Sequence, residues 1–315
     1  MVESAPPHIH CGYLGYAGTR GIDTFVAKAS FFDVIHPDWY SLDPDGVHVT
    51  PYRGVNDSRV LSTAKAAGIR VIPMVASVDD VTRTETMLDS ASLRAAHIQV
   101  LVTLAIENGY DGLDLDYEHL EPNYRTELTT FYSELADAFH AKGLEASATV
   151  VGDFDDVSPD DYAAIATKLD HLHVMMYDFH WAKSHAGPLA PLGWTKAVAE
   201  HAAATGHGGK FIFTLGNYAY LPDGFCTTTD CLAMCTGNFQ TTTTELTTCP
   251  FNTPMNFNPG RQPNCSVAGG TMWYEDTASF EEKVAAAKAA GLGGIGYWTL
   301  GGEPDGFFDA IGKYY

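Results

Sequence analysis

Short apolar runs recur along the chain, and between them lie longer stretches whose apolar positions return every three or four residues. Eight of the runs read as strands: 9–14, 29–35, 71–75, 112–118, 145–150, 173–177, 211–215 and 294–298. The intervening stretches carry helix signals. Leu128, Phe131, Leu135 and Phe139 fall on one helical face between Asn123 and Lys142, and Gly143 marks the stop. Ser158-Pro159 reads as an N-cap followed by proline at the first helical position. Ser279-Phe-Glu-Glu282 reads as a capping box that opens a helix over 281–290, ended by Gly291. Eight strand–helix alternations in 315 residues predict an α/β fold, a single (β/α)₈ TIM barrel spanning 1–315 as one catalytic domain. A doubly wound open sheet is the alternative, weakened because no glycine-rich phosphate loop follows the first strand.

Residues 218–272 break this rhythm. They hold the threonine runs 227–229 and 241–244 and five of the six cysteines: Cys226, Cys231, Cys235, Cys249 and Cys265. The segment lies between the seventh strand and the last helices. It therefore reads as a Cys/Thr-rich insertion on the C-terminal face of the barrel, over one rim of the cleft. The clustering predicts at least two disulfides and an oxidising, extracellular location. Zinc is the rival reading, since Cys231 and Cys235 are spaced C-x₃-C, but no histidine lies between Cys226 and Cys265. Cys11, in the first strand, is expected to be a buried free thiol, with a bridge to the odd cysteine of the insertion as the alternative. The sequons Asn56-Asp-Ser and Asn264-Cys-Ser are compatible with secretion. Met1–Pro7 lacks the apolar stretch of a signal peptide, so secretion implies a leader ahead of this chain.

Charge narrows the partners. With 39 acids against 18 bases the net charge is −21, which disfavours nucleic acid and anionic membranes and leaves a neutral sugar polymer unaffected. No apolar run is long enough to span a membrane. A monomer with no cofactor is expected, and the thirteen histidines show no metal-ligand spacing.

The richest chemistry lies in Tyr110-Asp-Gly-Leu-Asp-Leu-Asp-Tyr-Glu118. Alternate side chains of a strand share a face, so Asp114, Asp116 and Glu118 point one way and Leu113, Leu115 and Tyr117 the other. The apolar set should meet the helices and the acidic set should point into the barrel. A solvated edge or a calcium site is the bland reading of such a strand.

The spacing D-x-x-D-x-D-x-E, at Asp111, Asp114, Asp116 and Glu118, resembles the motif of the family 18 glycoside hydrolases, which include chitinases and endo-β-N-acetylglucosaminidases. Met175-Met-Tyr-Asp178 resembles the family's M-x-Y-D element, and Gly294-Ile-Gly-Tyr-Trp298 its last strand. The resemblance implies that Glu118 is the catalytic acid and Asp116 its mobile neighbour, with Asp114 beneath. It also implies that Tyr177 donates to an acetamido oxygen, that Asp178 contacts the sugar, and that Trp298 floors the pocket. Asp111 and Met175 are motif positions assigned to the substrate site. Trp181, His180 and His185 follow the sixth strand and are candidates to line the cleft.

Acidic neighbours should raise the pKa of Glu118, and Asp114 and Asp116 are expected to share a proton. No separate acidic motif offers a protein nucleophile, and the resemblance implies substrate assistance with retention of configuration. The expected substrate is chitin or chito-oligosaccharide, then N-glycans, then peptidoglycan. The stretch Pro37-Asp-Trp-Tyr-Ser-Leu-Asp-Pro-Asp-Gly46 faintly resembles the peptidoglycan-directed branch. A lectin without turnover is the reading of another class, and the presence of Glu118 argues against it.

Overall fold

The computed structural model describes residues 8–15, 18–52, 54–78, 80–152, 160–181, 184, 187–221, 224–227, 240–242, 262–267, 270–304 and 306–314. Eight parallel strands close on themselves: β1 (Ile9–Leu14), β2 (Val34–Leu42), β3 (Met74–Ser77), β4 (Gly112–Tyr117), β5 (Glu145–Val151), β6 (His171–Met176), β7 (Phe211–Gly216) and β8 (Gly294–Trp298). Each strand pairs with the next, and β8 pairs with β1, which excludes an open doubly wound sheet. Helices return the chain between successive strands, as a TIM barrel requires.

Two predicted strands move. Residues 29–31 form a 3₁₀ turn, and β2 starts at Val34 and runs on to Leu42. The aromatic pair Phe31 and Phe32 packs outward against Phe308 and Phe25, so the apolar run there is helix-facing packing ahead of the strand. The third strand is split: Arg70–Val71 pairs with β2, and β3 follows after Ile72-Pro73. Proline has no N–H to give to the ladder, and its carbonyl accepts instead from Asp114 N.

Helix signals held where periodicity was long. Arg125–His140 buries Leu128, Phe131, Leu135 and Phe139, and Gly143 follows with φ 71°. The helix expected at 281–290 is Thr277–Ala289, and its cap is Asp276. Ser279 is the third helical residue and returns the hydrogen bond, so the capping box is real but lies three residues earlier. The Ser158-Pro159 cap lies outside the described residues. The helix there is Tyr162–Ala166, capped by Asp161.

Alternation divides each strand between two environments. Outward residues such as Leu113, Leu115, Leu172, Val174, Phe211, Phe213 and Ile295 join the main core with the helices. The inward face begins with an apolar layer of Cys11, Val34, Ile72 and Ile212. Above it the interior turns polar, with Tyr13, His36, Asp114, Ser147, Thr149, His173 and Thr214 all buried.

Residues 218–272 contain more order than their sequence suggests. Tyr218–Leu221 pairs antiparallel with Gly224–Thr227, and Gln240–Thr242, Gln262–Val267 and Gly270–Trp273 form a three-stranded antiparallel sheet. Ala219, Cys265, Met272 and Tyr274 make a small core between them. Cys11 is a buried free thiol, as expected. Cys265 is disulfide-bonded. Cys231, Cys235 and Cys249 also fall outside them. Among the described residues, no helix is long and apolar enough to cross a membrane.

Candidate active site

β4 turns its acids inward at successive levels. Asp114 is fully buried and accepts three hydroxyl hydrogen bonds, from Tyr13 (3.2 Å), Ser147 (2.9 Å) and Thr149 (2.9 Å). On the opposite face of β4, Tyr117 reaches His97 on the helix Ala91–Asn108 through its hydroxyl. Asp116 is buried, and its Oδ1 has no hydrogen-bond partner. Burial first, then Glu118, Asp114 and Asp38, push its carboxyl well above the usual range. Burial and the neighbouring acids thus favour the neutral form of Asp116, while the oxygens of Asp114 are occupied by hydroxyl donors. Glu118 follows the end of the strand at intermediate exposure, and its N–H donates to Ser77 O. Its pKa is pushed up to about 7, by burial and then by Asp178. Glu118 in turn raises Asp116, so the two acids of the strand act on each other, and Asp178, just after β6, adds to the shift.

β6 supplies the opposite wall. His171, His173, Met175 and Tyr177 alternate inward, and Met175 and Tyr177 are half-buried toward the C-terminal face. Tyr177 meets Tyr218 edge to face at 5.8 Å. Gly216 permits this approach, since a Cβ there would lie 2.9 Å from Tyr177 Cβ and 2.8 Å from the Tyr218 ring. Asp178 has φ 60°, and His119, just after Glu118, has φ 66°. Both chain exits therefore pass through left-handed backbone, which disfavours an L-residue by roughly 1–2 kcal/mol. Tyr218 and Tyr220 donate their hydroxyls to the two oxygens of Asp178, the second at 2.9 Å. Burial raises the Asp178 carboxyl, and these two hydrogen bonds oppose the rise.

Trp298 ends β8 partly exposed, with its ring 5.7 Å from Tyr13. It joins Tyr13, Met74 and Ala76 in one cluster at the barrel mouth. Trp181 is 38% exposed on the loop after β6, where a sugar ring could stack on it. His180 is buried against Gly187 and does not line an open cleft; His185 lies outside the described residues.

Asp111 is not at this site. It precedes β4 at the N-terminal end, exposed, and its Oδ2 accepts from Val71 N at 2.8 Å. Seven residues of extended chain place it roughly 20 Å from Glu118. Its part in the motif is to fix the start of β4 against the preceding strand.

Sequence reasoning missed several partners. Asp38 on β2 is buried and raises Asp116. Its signal was an inward-facing acid in the 37–46 stretch. Ser147 and Thr149 are polar positions alternating with alanine and valine in β5, a pattern that marks a polar interior partner. Tyr218 and Tyr220 alternate in sequence, but nothing in that pattern pointed to Asp178.

A closed barrel with a column of inward carboxylates at its C-terminal face, one held protonated near neutrality, defines a glycoside hydrolase. The family model for glycosyl hydrolases family 18 matches residues 10–303, and the chain belongs to that family. It is similar to the uncharacterized glycosylase YvbX of Bacillus subtilis, with 21% identity over 94% of this chain and 88% of the relative. It is also similar to the cortical fragment-lytic enzyme of Bacillus subtilis, 23% identical over 68% of this chain and 52% of that protein. Among solved structures, a chitinase from Chromobacterium violaceum superposes with a TM-score of 0.82, at 22% identity over 98% of both chains.

Proposed function

We propose that the chain hydrolyses β-linkages beside N-acetylglucosamine in chitin or chito-oligosaccharides, by a retaining, substrate-assisted mechanism with Glu118 as acid and then base. The observation that carries this reading is the raised pKa of Glu118 above the buried, singly unpartnered Asp116. Glu118 gives its proton to the glycosidic oxygen as the acetamido oxygen attacks the anomeric carbon and the exocyclic C–O bond breaks. Asp116 Oδ1 accepts from the acetamido N–H, and Tyr177 donates to the acetamido oxygen. Water then opens the oxazolinium ion, and Glu118 takes back a proton. Asp178, held by Tyr218 and Tyr220, sets a negative charge beside the cationic intermediate. Trp298 floors the ring, Met175 backs the same pocket, and Trp181 stacks on a neighbouring sugar.

Residues 1–315 act as one domain on this reading, monomeric and secreted, with the 218–272 insertion at the rim of the cleft and disulfides stapling it. Peptidoglycan fragments are the second reading, favoured by the likeness to the cortical fragment-lytic enzyme. Product analysis on chito-oligosaccharides, an N-glycoprotein and peptidoglycan tests both. β-Anomeric chito-oligomer products are expected. Preferential release from peptidoglycan would select the second reading, and cleavage of none of the three would remove both.

A further inference from the structure

The barrel interior holds a group of ligand atoms that the reaction does not use. Cys11 Sγ on β1, a ring nitrogen of His36 on β2 and one of His173 on β6 all lie within 4.8 Å of one another, and all three residues are buried. They come from distant points of the chain, which is why no metal-ligand spacing is visible in the sequence. The imidazole of His36 is already oriented. Its Nδ1 hydrogen-bonds Ile72 O at 2.9 Å, which places the proton on Nδ1 and leaves Nε2 as a lone pair. That Nε2 has no hydrogen-bond partner, and neither does either nitrogen of His173. Buried polar atoms are seldom left so, because each forfeits the hydrogen bonds it made with water. One nitrogen from each imidazole and the free thiol of Cys11 thus make a candidate ligand set.

We propose that Cys11, His36 and His173 form a trigonal thiolate–bis-imidazole site for a soft monovalent cation, copper(I), in the barrel interior below Glu118. Thiolate and imidazole are ligands that copper(I) accepts, and a structural zinc would ask for a fourth ligand. Cys11 contributes its thiol from the apolar layer of Val34, Ile72 and Ile212, and the two imidazoles stand above it. Bonds of about 2.0–2.3 Å place ligand atoms about 3.5–3.9 Å apart, so small side-chain rotations close the present spread. Binding replaces the S–H proton with the metal and releases one proton, with no redox change. The His36–Ile72 hydrogen bond supplies the outer support common to ligating histidines. Tyr13 stacks on His36 at 4.7 Å and donates to Asp114, so the ion would brace the floor under the carboxylate column.

The test is anaerobic titration of the full chain with copper(I) against a chromogenic chelator, with X-ray absorption on the loaded protein. Cys11→Ser and His36→Gln are the variants, each checked for fold by circular dichroism. The expected result is one equivalent retained, an edge fitted by one sulfur and two nitrogens, and a rise in Tm on loading. Each variant should weaken that equivalent at least 100-fold and lose the Tm rise. The difference from native separates this site from the insertion cysteines. Equal copper affinity in native and variants would overturn the proposal, as would an edge requiring two or more sulfurs. If a variant fails to fold, the sulfur count on native protein still decides.

Discussion

At the scale of single residues, the site is governed by where a proton can rest. Glu118 is raised to about 7 chiefly because burial disfavours its charge, and secondarily because Asp178 faces it. Glu118→Gln keeps shape and hydrogen bonding but has no proton to give. Turnover on chito-oligomers should fall about 10²–10⁴-fold while oligosaccharide binding, read by calorimetry, survives. Near-native turnover in the folded variant would remove Glu118 from the mechanism. The pH profile tests the same assignment independently. The acid must be protonated, so kcat/KM should decline as pH rises through about 7. Asp178→Asn deletes the negative neighbour and lowers the Glu118 pKa, so its alkaline limb should move to lower pH. Burial is untouched, so the limb should stop short of an ordinary glutamate. A limb that stays put or moves up would show that Asp178 does not face the acid.

At the scale of elements, legibility tracked periodicity. β4 was readable because period-two alternation assigns Asp114, Asp116 and Glu118 to one face whatever the neighbours are. β2 was misplaced because the apolar residues Ala29, Phe31, Phe32, Val34 and Ile35 do not by themselves distinguish a strand from packing ahead of one. Asp111 was assigned to the sugar through its place in the motif, yet it spends its carboxylate on Val71 N at the far end of the strand. Tyr218 and Tyr220 were invisible as partners of Asp178 because contact between the ends of neighbouring strands forty residues apart leaves no trace in local spacing. The helix Thr277–Ala289 adds one more such pairing. Lys283 forms an ion pair with Glu275, both buried, and Ser279 also donates to Glu275. Lys283→Met should destabilise by about 3–5 kcal/mol, because it leaves an uncompensated buried charge. Adding Glu275→Leu should restore most of the lost Tm, since an apolar pair of similar size removes both charges. A double variant no more stable than the single one would mean that the pair holds the helix by geometry.

At the scale of the whole molecule, the barrel gathers inward carboxylates toward one end of its axis. Eight strands deliver side chains to a common axis, and β4 delivers its carboxylates in a single column. A protein nucleophile would have to stand about 5–5.5 Å from the acid and on the far side of the anomeric carbon. Asp116 shares a face with Glu118, and Asp114 lies below it with three hydroxyls on its oxygens. Across the barrel, both oxygens of Asp178 accept from Tyr218 and Tyr220, an arrangement suited to holding charge in place. The attacking oxygen should therefore be the substrate's own acetamide, and the N-acetyl group should matter to the rate as well as to affinity. Replacing it by a free amine or a hydroxyl in the sugar at the cleavage point should lower kcat, because the interaction lost is one made in the transition state. A thiazoline analogue of the oxazolinium ion should inhibit competitively, and the first-formed products should carry the β-anomer in a proton NMR time course. Rapid hydrolysis of cello-oligosaccharides, or a glycosyl ester trapped on Asp116 or Asp178 and found by peptide mass analysis, would mean that the nucleophile belongs to the protein after all.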